Sequence, residues 1–255
     1  MLEVHQFMCR TDNFCVLLRD SETGATALVD APEEGPILRA IEETGWQPPS
    51  LLLVTHHHFD HVEADLALKA RFGLSIVGPA REAEKIPGID RSVREGDSVR
   101  LGRSEALVLE TPGHTAGHVS YYFADAGIVF TADTLFALGC GRLFECPPPV
   151  MYQSLKKLAA LPPETVVYCG HEYTLSNARF ALTVDPGNPA LQERARKIEA
   201  LVQEGKPTLP TTIGEELATN PFLRWHDPDI RRNLGMENAP DEDVFAEIRR
   251  RKDVA

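Results

Sequence analysis

The chain has 255 residues, which suits one large domain or a main domain with a smaller second one. It is 43% hydrophobic and 25% charged, as in an ordinary globular protein. No apolar run approaches the ~20 residues needed to span a bilayer. The formal net charge of −12 disfavours non-specific nucleic-acid binding. We therefore expect neither a membrane nor a nucleic-acid partner, although a local basic pocket could hold a small anion.

The first residues lack the basic and apolar segments of a secretory signal, which predicts a cytoplasmic protein. The cysteines are odd in number and scattered, and they include no C-x-x-C pair: Cys9, Cys15, Cys140, Cys146 and Cys169. This pattern predicts reduced, buried thiols, without disulfides or an all-cysteine zinc site. We expect the protein to act as a monomer.

Short apolar runs bounded by turn residues predict strands at 14–18, 27–29, 51–54, 106–109, 119–123, 128–130 and 165–168. Helical patterns predict helices at 61–72 and 151–161. After residue 172 we expect helices at 175–183, 189–203, 215–218 and 241–252, and no further strand. This order predicts a mixed α/β catalytic domain over 1–172 and a helical domain over 173–255.

Four of the nine histidines follow the predicted strand 51–54 directly, at positions 56, 57, 58 and 61. In an extended segment, residues two apart face the same side. His56 and His58 are therefore expected to share one site while His57 points away. Asp60 and His61 lie where the chain turns into the next helix, so they suit a second ion nearby.

Three more candidate ligands stand at the carboxyl ends of predicted strands, where loops gather to form sites. They are His114, Asp133 and His171. Gly113 and Gly170 each precede one of these histidines and allow the backbone to approach closely.

Five histidines and two aspartates exceed the about four ligands of one zinc ion, so we expect two divalent ions. The two predicted sets are His56, His58 and His114, and Asp60, His61 and His171. Asp133 is the natural bridge between the ions. A water held between them would be acidified toward hydroxide. Imidazole and carboxylate suit zinc, iron or manganese, and zinc is our first expectation.

Two of these residues have a structural alternative. Asp60 and Glu63 match an N-capping box, so Asp60 could simply cap the helix that follows. Asp133 could likewise cap a loop. The combination of H-x-H-x-D-H with three further ligands at strand ends favours the metal site.

The motif T-H-x-H-x-D-H at 55–61 resembles the signature of the metallo-β-lactamase superfamily. Over nearly its whole length the chain resembles one family within it, glyoxalase II or hydroxyacylglutathione hydrolase. The matching motifs are G-H-T at 113–115 with G-H at 117–118, T-A-D-T-L-F at 131–136, G-C-G-R-L-F-E at 139–145, G-H-E-Y-T at 170–174 and N-P-F-L-R at 220–224. The signature indicates metal binding, and the last three motifs indicate the family.

The resemblance implies an αββα sandwich with a C-terminal helical domain and a binuclear site. The implied reaction is hydrolysis of S-D-lactoylglutathione, and related S-2-hydroxyacylglutathiones, to glutathione and D-lactate in methylglyoxal detoxification. The metal-bridging hydroxide would attack the thioester carbonyl while an ion holds the oxyanion. Asp60 and Asp133 are the expected catalytic residues, Asp60 by orienting the hydroxide.

Glutathione is anionic, so an acidic protein must supply local cations for it. By motif, the resemblance places its contacts at Arg142, Phe144, Tyr173, Arg249 and Lys252. Phe144 stands where some members have tyrosine, so one hydroxyl contact is expected to be absent. The run R-R-R-K at 249–252 could alternatively complement a helix dipole, and its two middle arginines are expected to face solvent.

The chain departs from the family pattern in two places. Glu63 and Ala64 replace two usual glycines beside the metal motif, and Cys146 stands where glycine is common. Three alternative functions stay open. A persulfide dioxygenase with one iron should lack the complete second ligand set. A lactonase or β-lactamase-like hydrolase would not need the cations, and a binding protein would have lost catalysis.

Overall fold

A computed structural model describes all 255 residues, Met1–Ala255. The chain forms two units, each with its own internal contacts. One comprises Met1–Glu110 and Thr115–Thr131, and the other comprises Thr111–His114 and Ala132–Ala255. None of the helices combines the length and apolarity that a bilayer crossing demands.

The first unit holds the strands β1–β10 and the helices α1–α3. The strands are β1 Leu2–Cys9, β2 Asn13–Asp20, β3 Thr26–Val29, β4 Leu51–Leu53, β5 Ser75–Pro79, β6 Arg91–Val93, β7 Ser98–Leu101, β8 Ser104–Glu110, β9 Val119–Phe123 and β10 Ile128–Ala132. The helices are α1 Glu34–Thr44, α2 Phe59–Val62 and α3 Asp65–Phe72, with 3-10 turns at Ala80–Lys85 and Ala124–Ala126.

Strands β1 to β6 form one sheet in sequence order, antiparallel as far as β3 and parallel from β3 to β6. Leu28 and Leu52 are register partners in the parallel part, and both are fully buried. Neighbouring parallel strands end at the same edge of a sheet. Asp30, directly after β3, and Thr55, two residues after β4, therefore lie close together. The Asp30 amide donates to the Leu53 carbonyl at 3.0 Å.

Strands β7 to β10 pair antiparallel, each with the next. Tyr121 on β9 is fully buried, and its hydroxyl donates to the Val54 carbonyl at 2.8 Å. The Val119 amide donates to the Thr55 carbonyl at 3.0 Å. These two bonds hold the chain just before the histidine motif in one extended path.

The second unit holds four short strands and six helices. The strands are β11 Leu135–Phe136, β12 Gly139–Cys140, β13 Val166–Cys169 and β14 Thr211–Thr212, paired as β11 with β12 and β13 with β14. The helices are α4 Pro148–Ala159, α5 Thr174–Val184, α6 Pro189–Gln203, α7 Ile213–Thr219, α8 Pro228–Leu234 and α9 Asp241–Asp253, with a 3-10 turn at Pro221–Leu223.

The seven predicted strands and the helices predicted over 151–161 and in the tail are all confirmed, with bounds that differ by a few residues. The single helix expected over 61–72 is wrong, because α2 and α3 are separate. The His61 carbonyl accepts from the Ala31 amide at 2.8 Å, and the Ala64 amide donates to the Ala31 carbonyl at 3.0 Å. Both groups would otherwise bond within a continuous helix. Because Ala31 bonds both groups, the helix is interrupted between α2 and α3.

The expectation of no strand after residue 172 is also wrong, because β14 adds two residues beside β13. A strand of two residues is too short to show an alternating pattern. Four of the five cysteines are buried as predicted, whereas Cys146 is partly exposed.

A buried charge organises the loop between β11 and β12. Glu216 on α7 is fully buried, and one carboxylate oxygen accepts from the Leu138 amide at 2.8 Å. The other accepts from Arg194 Nη2 at 2.5 Å. Asn220 donates to the carbonyls of Phe136 at 3.2 Å and Gly139 at 3.0 Å. Side chains of the helices thus satisfy the backbone of this loop.

Replacement of Glu216 by alanine should lower the free energy of unfolding by about 3–5 kcal/mol, because it removes the only carboxylate that pairs with the largely buried Arg194 guanidinium. The measurement is urea unfolding followed by circular dichroism. The matched control is Glu193→Ala, which breaks an exposed ion pair with Arg196 on α6 and should change stability by no more than about 0.5 kcal/mol. Equal effects of the two substitutions would contradict the assignment.

Candidate metal centre and ligand cavity

Asp30 orders the histidine motif in the first unit. Its carboxylate is buried and accepts three hydrogen bonds of 2.8 Å, from the Thr55 amide, the Thr55 hydroxyl and His61 Nδ1. The sequence analysis did not select Asp30. The signal that marks Asp133, an aspartate closing an apolar strand, is also present at Asp30, which follows β3 directly.

The hydrogen-bond partners define how two of the imidazoles are protonated. His61 Nδ1 faces a carboxylate, so it donates. The Thr55 hydroxyl gives its hydrogen to Asp30 and therefore accepts from His56 Nδ1, which lies 3.0 Å away. Each ring then presents the lone pair of Nε2, the form in which imidazole binds a metal ion.

The predicted ligands of this unit are neighbours in space. The ring centroid of His56 lies 4.8 Å from that of His58 and 4.2 Å from that of His61. His118, which is fully buried, stacks on His56 with a centroid distance of 4.9 Å. No role for His118 is predicted from the sequence, because the motif G-H at 117–118 does not reveal that His118 packs against His56.

His57 is directed elsewhere, as expected from the alternation along an extended segment. Its Nδ1 and its backbone amide both lie 2.8 Å from Glu82 Oε2. Glu82 is buried, and its other oxygen accepts from the Gly117 amide at 2.7 Å. This carboxylate therefore fixes the direction of His57.

The capping-box alternative for Asp60 is wrong. The N-cap position of α2 is His58, which makes no side-chain capping bond, and Asp60 lies inside the first turn. The Asp60 carboxylate accepts from Asn13 Nδ2 at 2.9 Å and lies 3.7 Å from His61 Nε2. Glu63 forms an ion pair with Arg10 and does not complete a box.

The second unit contains the other three predicted ligands. Asp133 follows β10, and its Oδ2 lies 3.3 Å from His114 Nε2 and 3.2 Å from His171 Nε2. Two ligands of a tetrahedral zinc ion, each at about 2.0–2.1 Å, lie about 3.3–3.4 Å apart. All three side chains are buried. The spacing of these atoms fits ligands that share a metal ion.

The chemistry of His114 fits a metal ion as well. Its Nδ1 lies 2.7 Å from the Arg142 carbonyl and must donate to it, because a carbonyl cannot donate. A neutral His114 then turns the lone pair of Nε2 toward the Asp133 carboxylate. Two acceptors at this distance repel each other, and a cation bound to both removes the repulsion.

Four of the five predicted substrate residues line one cavity of about 200 Å³ in the second unit. Its lining includes Phe136, Cys140, Arg142, Tyr173, Arg249 and Lys252. Burial raises the pKa of the Cys140 thiol to about 11, although the Arg249 charge opposes the rise. The thiol is therefore protonated at neutral pH, and the cavity keeps its positive charge.

Arg249 is the most buried cation of this cavity, with 6% of its surface exposed. Its guanidinium donates to the Cys140 carbonyl at 2.9 Å and pairs with Asp253 at 2.9 Å. Its Nε is buried and makes no hydrogen bond. Burial and the nearby Arg249 charge lower the pKa of Lys252. The ion pair of Arg249 with Asp253 was not predicted from the sequence, although the i, i+4 spacing of the two residues on a helix favours it.

Tyr173 joins this cavity to a predicted metal ligand. Its ring stacks on that of His171 with a centroid distance of 4.8 Å and an interplanar angle of 2°. Phe144 does not line the cavity. Its ring lies 5.2 Å from that of His114, and 61% of its surface is exposed. Arg250 is exposed as expected, whereas Arg251 is only partly so.

Solved structures share the fold of this chain. The crystal structure of ETHE1 from Myxococcus xanthus covers 98% of this chain and 98% of its own, with a TM-score of 0.67 and 26% identity. A structure solved in a di-iron-bound form covers 87% of this chain and all of its own, with a TM-score of 0.62 and 28% identity. The predicted fold class, a metallo-β-lactamase α/β fold with a helical C-terminal region, is confirmed.

Family profiles and curated relatives cover the chain from end to end. Residues 10–171 match the metallo-β-lactamase superfamily, and residues 172–255 match the hydroxyacylglutathione hydrolase C-terminus. A hydroxyacylglutathione hydrolase of Chelativorans sp. (strain BNC1) is 76% identical over 99% of both chains. One of Mesorhizobium japonicum is 68% identical over 99% of this chain and 98% of its own. The chain therefore belongs to the hydroxyacylglutathione hydrolase family of the metallo-β-lactamase superfamily.

Proposed function

We propose that the protein hydrolyses S-D-lactoylglutathione, and related S-2-hydroxyacylglutathiones, to glutathione and D-lactate in the detoxification of methylglyoxal. The observation that carries the proposal is the stacking of Tyr173 on His171. This contact supports the proposal because it joins the cation-lined cavity, suited to an anionic thiol carrier, to a proposed metal ligand. The full-length similarity to proteins named hydroxyacylglutathione hydrolase supports the same substrate class.

The protein binds divalent metal, as its fold and its clusters of histidine and aspartate imply. We propose two ions for each chain. The proposed ligands are His56, His58 and His114 for one ion, and Asp60, His61 and His171 for the other, with Asp133 as the bridge. Asp133 Oδ2 contacts one histidine from each set, which supports the bridging role. We propose zinc, with iron as the alternative because a related structure holds two irons.

Bound divalent ions supply acidified water and a polarised thioester carbonyl. The residues of the chain do the rest. Arg142, Arg249 and Lys252 hold one carboxylate of the carrier and so fix the position of the thioester. Asp60, whose Oδ2 accepts from Asn13 Nδ2, orients the attacking water. Thiolate leaves readily, so no serine or cysteine nucleophile is required.

Residues 1–172 are proposed to form the catalytic domain and 173–255 the domain that binds the thiol carrier. Residues 173–255 supply three of the side chains that line the cavity: Tyr173, Arg249 and Lys252. We also propose that the protein is a monomer. We propose a cytoplasmic location, since five unbridged cysteines are typical of a reducing compartment.

Purified protein should hydrolyse S-D-lactoylglutathione in proportion to its metal content. The measurement is loss of the thioester absorbance, with metals determined on the same sample by emission spectroscopy. Chelation should abolish the activity, and return of zinc, iron or manganese should restore it to different extents. A rate equal to that of the chelated sample would contradict the proposal. Oxygen uptake with glutathione persulfide would favour a dioxygenase instead.

The substitution Asp30→Asn should weaken metal binding by about 10–100-fold. An amide at this position can donate to His61 Nδ1 and so turn the hydrogen of that ring onto Nε2. Metal affinity is measured by competition with a chromogenic chelator. The matched control is Asp20→Asn, which alters another buried aspartate, bonded to Thr23 and Ser104. The control should lose stability and keep its metal affinity.

The substitution Gly141→Ala should lower the hydrolysis rate by about 100-fold, because small displacements of catalytic groups have effects of this size. An added Cβ would lie 1.9 Å from the Asp133 carbonyl oxygen, so Asp133 must move. Gly187→Ala is the control, since nothing lies within 4 Å of its Cβ. Full activity and full metal content in the Gly141 variant would show that Asp133 is not a required ligand.

A further inference from the structure

A second cavity adjoins the one lined by Arg249. It has a volume of about 420 Å³ and lies between α5 and the end of α9. Its lining includes Ser176, Arg179, Phe180, Arg251 and Lys252. Ser176 and Lys252 line both cavities. The two spaces therefore meet at Ser176 and Lys252.

The second cavity carries a net positive charge. Three cations line it, no aspartate or glutamate side chain does, and the one anion beside them is the terminal carboxylate of Ala255. Arg251 is already bonded to Glu247 at 2.8 Å, and Lys252 donates to the Ser176 hydroxyl at 3.2 Å. The side chain of Arg179 is exposed and forms no ion pair or hydrogen bond with the rest of the chain.

The first cavity is small for a complete ligand. Sites for small molecules usually enclose about 300–1,000 Å³. The first cavity, at about 200 Å³, falls below this range, whereas the adjoining one, at about 420 Å³, lies within it. Glutathione carries one carboxylate at each end of the tripeptide. If Arg249 and Lys252 hold one end, the other end needs a partner beyond Lys252.

We propose that Arg179 binds the second carboxylate of the thiol carrier, with Arg251 contributing to the local positive potential. The carrier would cross Lys252, whose ammonium lies 5.3 Å from the centre of the buried Phe180 ring. Phe180 supports the stem of Lys252 at the boundary between the cavities. This inference rests on the proposed function, because it takes a glutathione thioester as the ligand.

The test measures binding of S-methylglutathione, which cannot be hydrolysed, to the metal-loaded full chain by calorimetry. Arg179→Ala should weaken binding about fivefold, the upper range for an exposed ion pair. The same substitution should raise KM for S-D-lactoylglutathione and leave kcat unchanged. Arg232→Ala is the control, because it removes an exposed cation of α8 that pairs with Asp229. It should change neither quantity.

Two monoamides of S-methylglutathione identify the carboxylate. Arg179→Ala should have no effect on the monoamide that lacks its partner carboxylate, and its full effect on the other. Unchanged affinity for S-methylglutathione, or equal weakening with both monoamides, would overturn the inference. So would a failure of the wild-type chain to bind S-methylglutathione at all.

The same measurements separate this inference from the proposed function. Weaker binding in the Arg179 variant of a protein that hydrolyses no thioester would reject the function and keep the subsite. Normal hydrolysis by the wild type, with no change in the Arg179 variant, would keep the function and reject the subsite.

Discussion

The hydrogen bonds that three of the predicted histidine ligands donate from Nδ1 are the interactions on which the proposed metal chemistry depends. Asp30 accepts from His61, the Thr55 hydroxyl accepts from His56, and the Arg142 carbonyl accepts from His114. Each bond leaves Nε2 of the neutral ring as a lone-pair donor and fixes the plane of the ring. The first sheet provides two of these acceptors, because β3 and β4 end side by side and bring Asp30 to Thr55. The fold thus sets the tautomer of these three rings.

A different constraint governs the cation-lined cavity, which must hold positive charge in an acidic protein. Arg249 is buried against a carbonyl and shares Asp253 with Arg142, which lies 3.6 Å from that carboxylate. Phe222, from the motif N-P-F-L-R, packs 5.2 Å from the guanidinium. The turn between β11 and β12, which precedes Arg142 in the chain, is held by Asn220 and the buried Glu216. The motif therefore supports the cavity without lining it.

The sequence predicted the parts of the site whose spacing is local. The alternation of His56, His57 and His58 follows from extended geometry alone. The direction of Glu63 and the role of Asp30 depend on partners far along the chain, Arg10 and Thr55, which spacing does not reveal. The break between α2 and α3 has the same origin, since Ala31 supplies the competing bonds. Long-range hydrogen bonds, rather than local propensity, account for what was missed.

If His171 holds a metal ion and Tyr173 the thiol carrier, as proposed, their stacking makes one aromatic pair part of two binding equilibria. A ring held rigid by a coordinated ion loses less freedom when a ligand packs against its neighbour. Thermodynamic reciprocity then requires the thiol carrier to tighten metal binding by the same factor. In a cell where metal is scarce, the abundance of the carrier would help to decide how much of the protein is loaded.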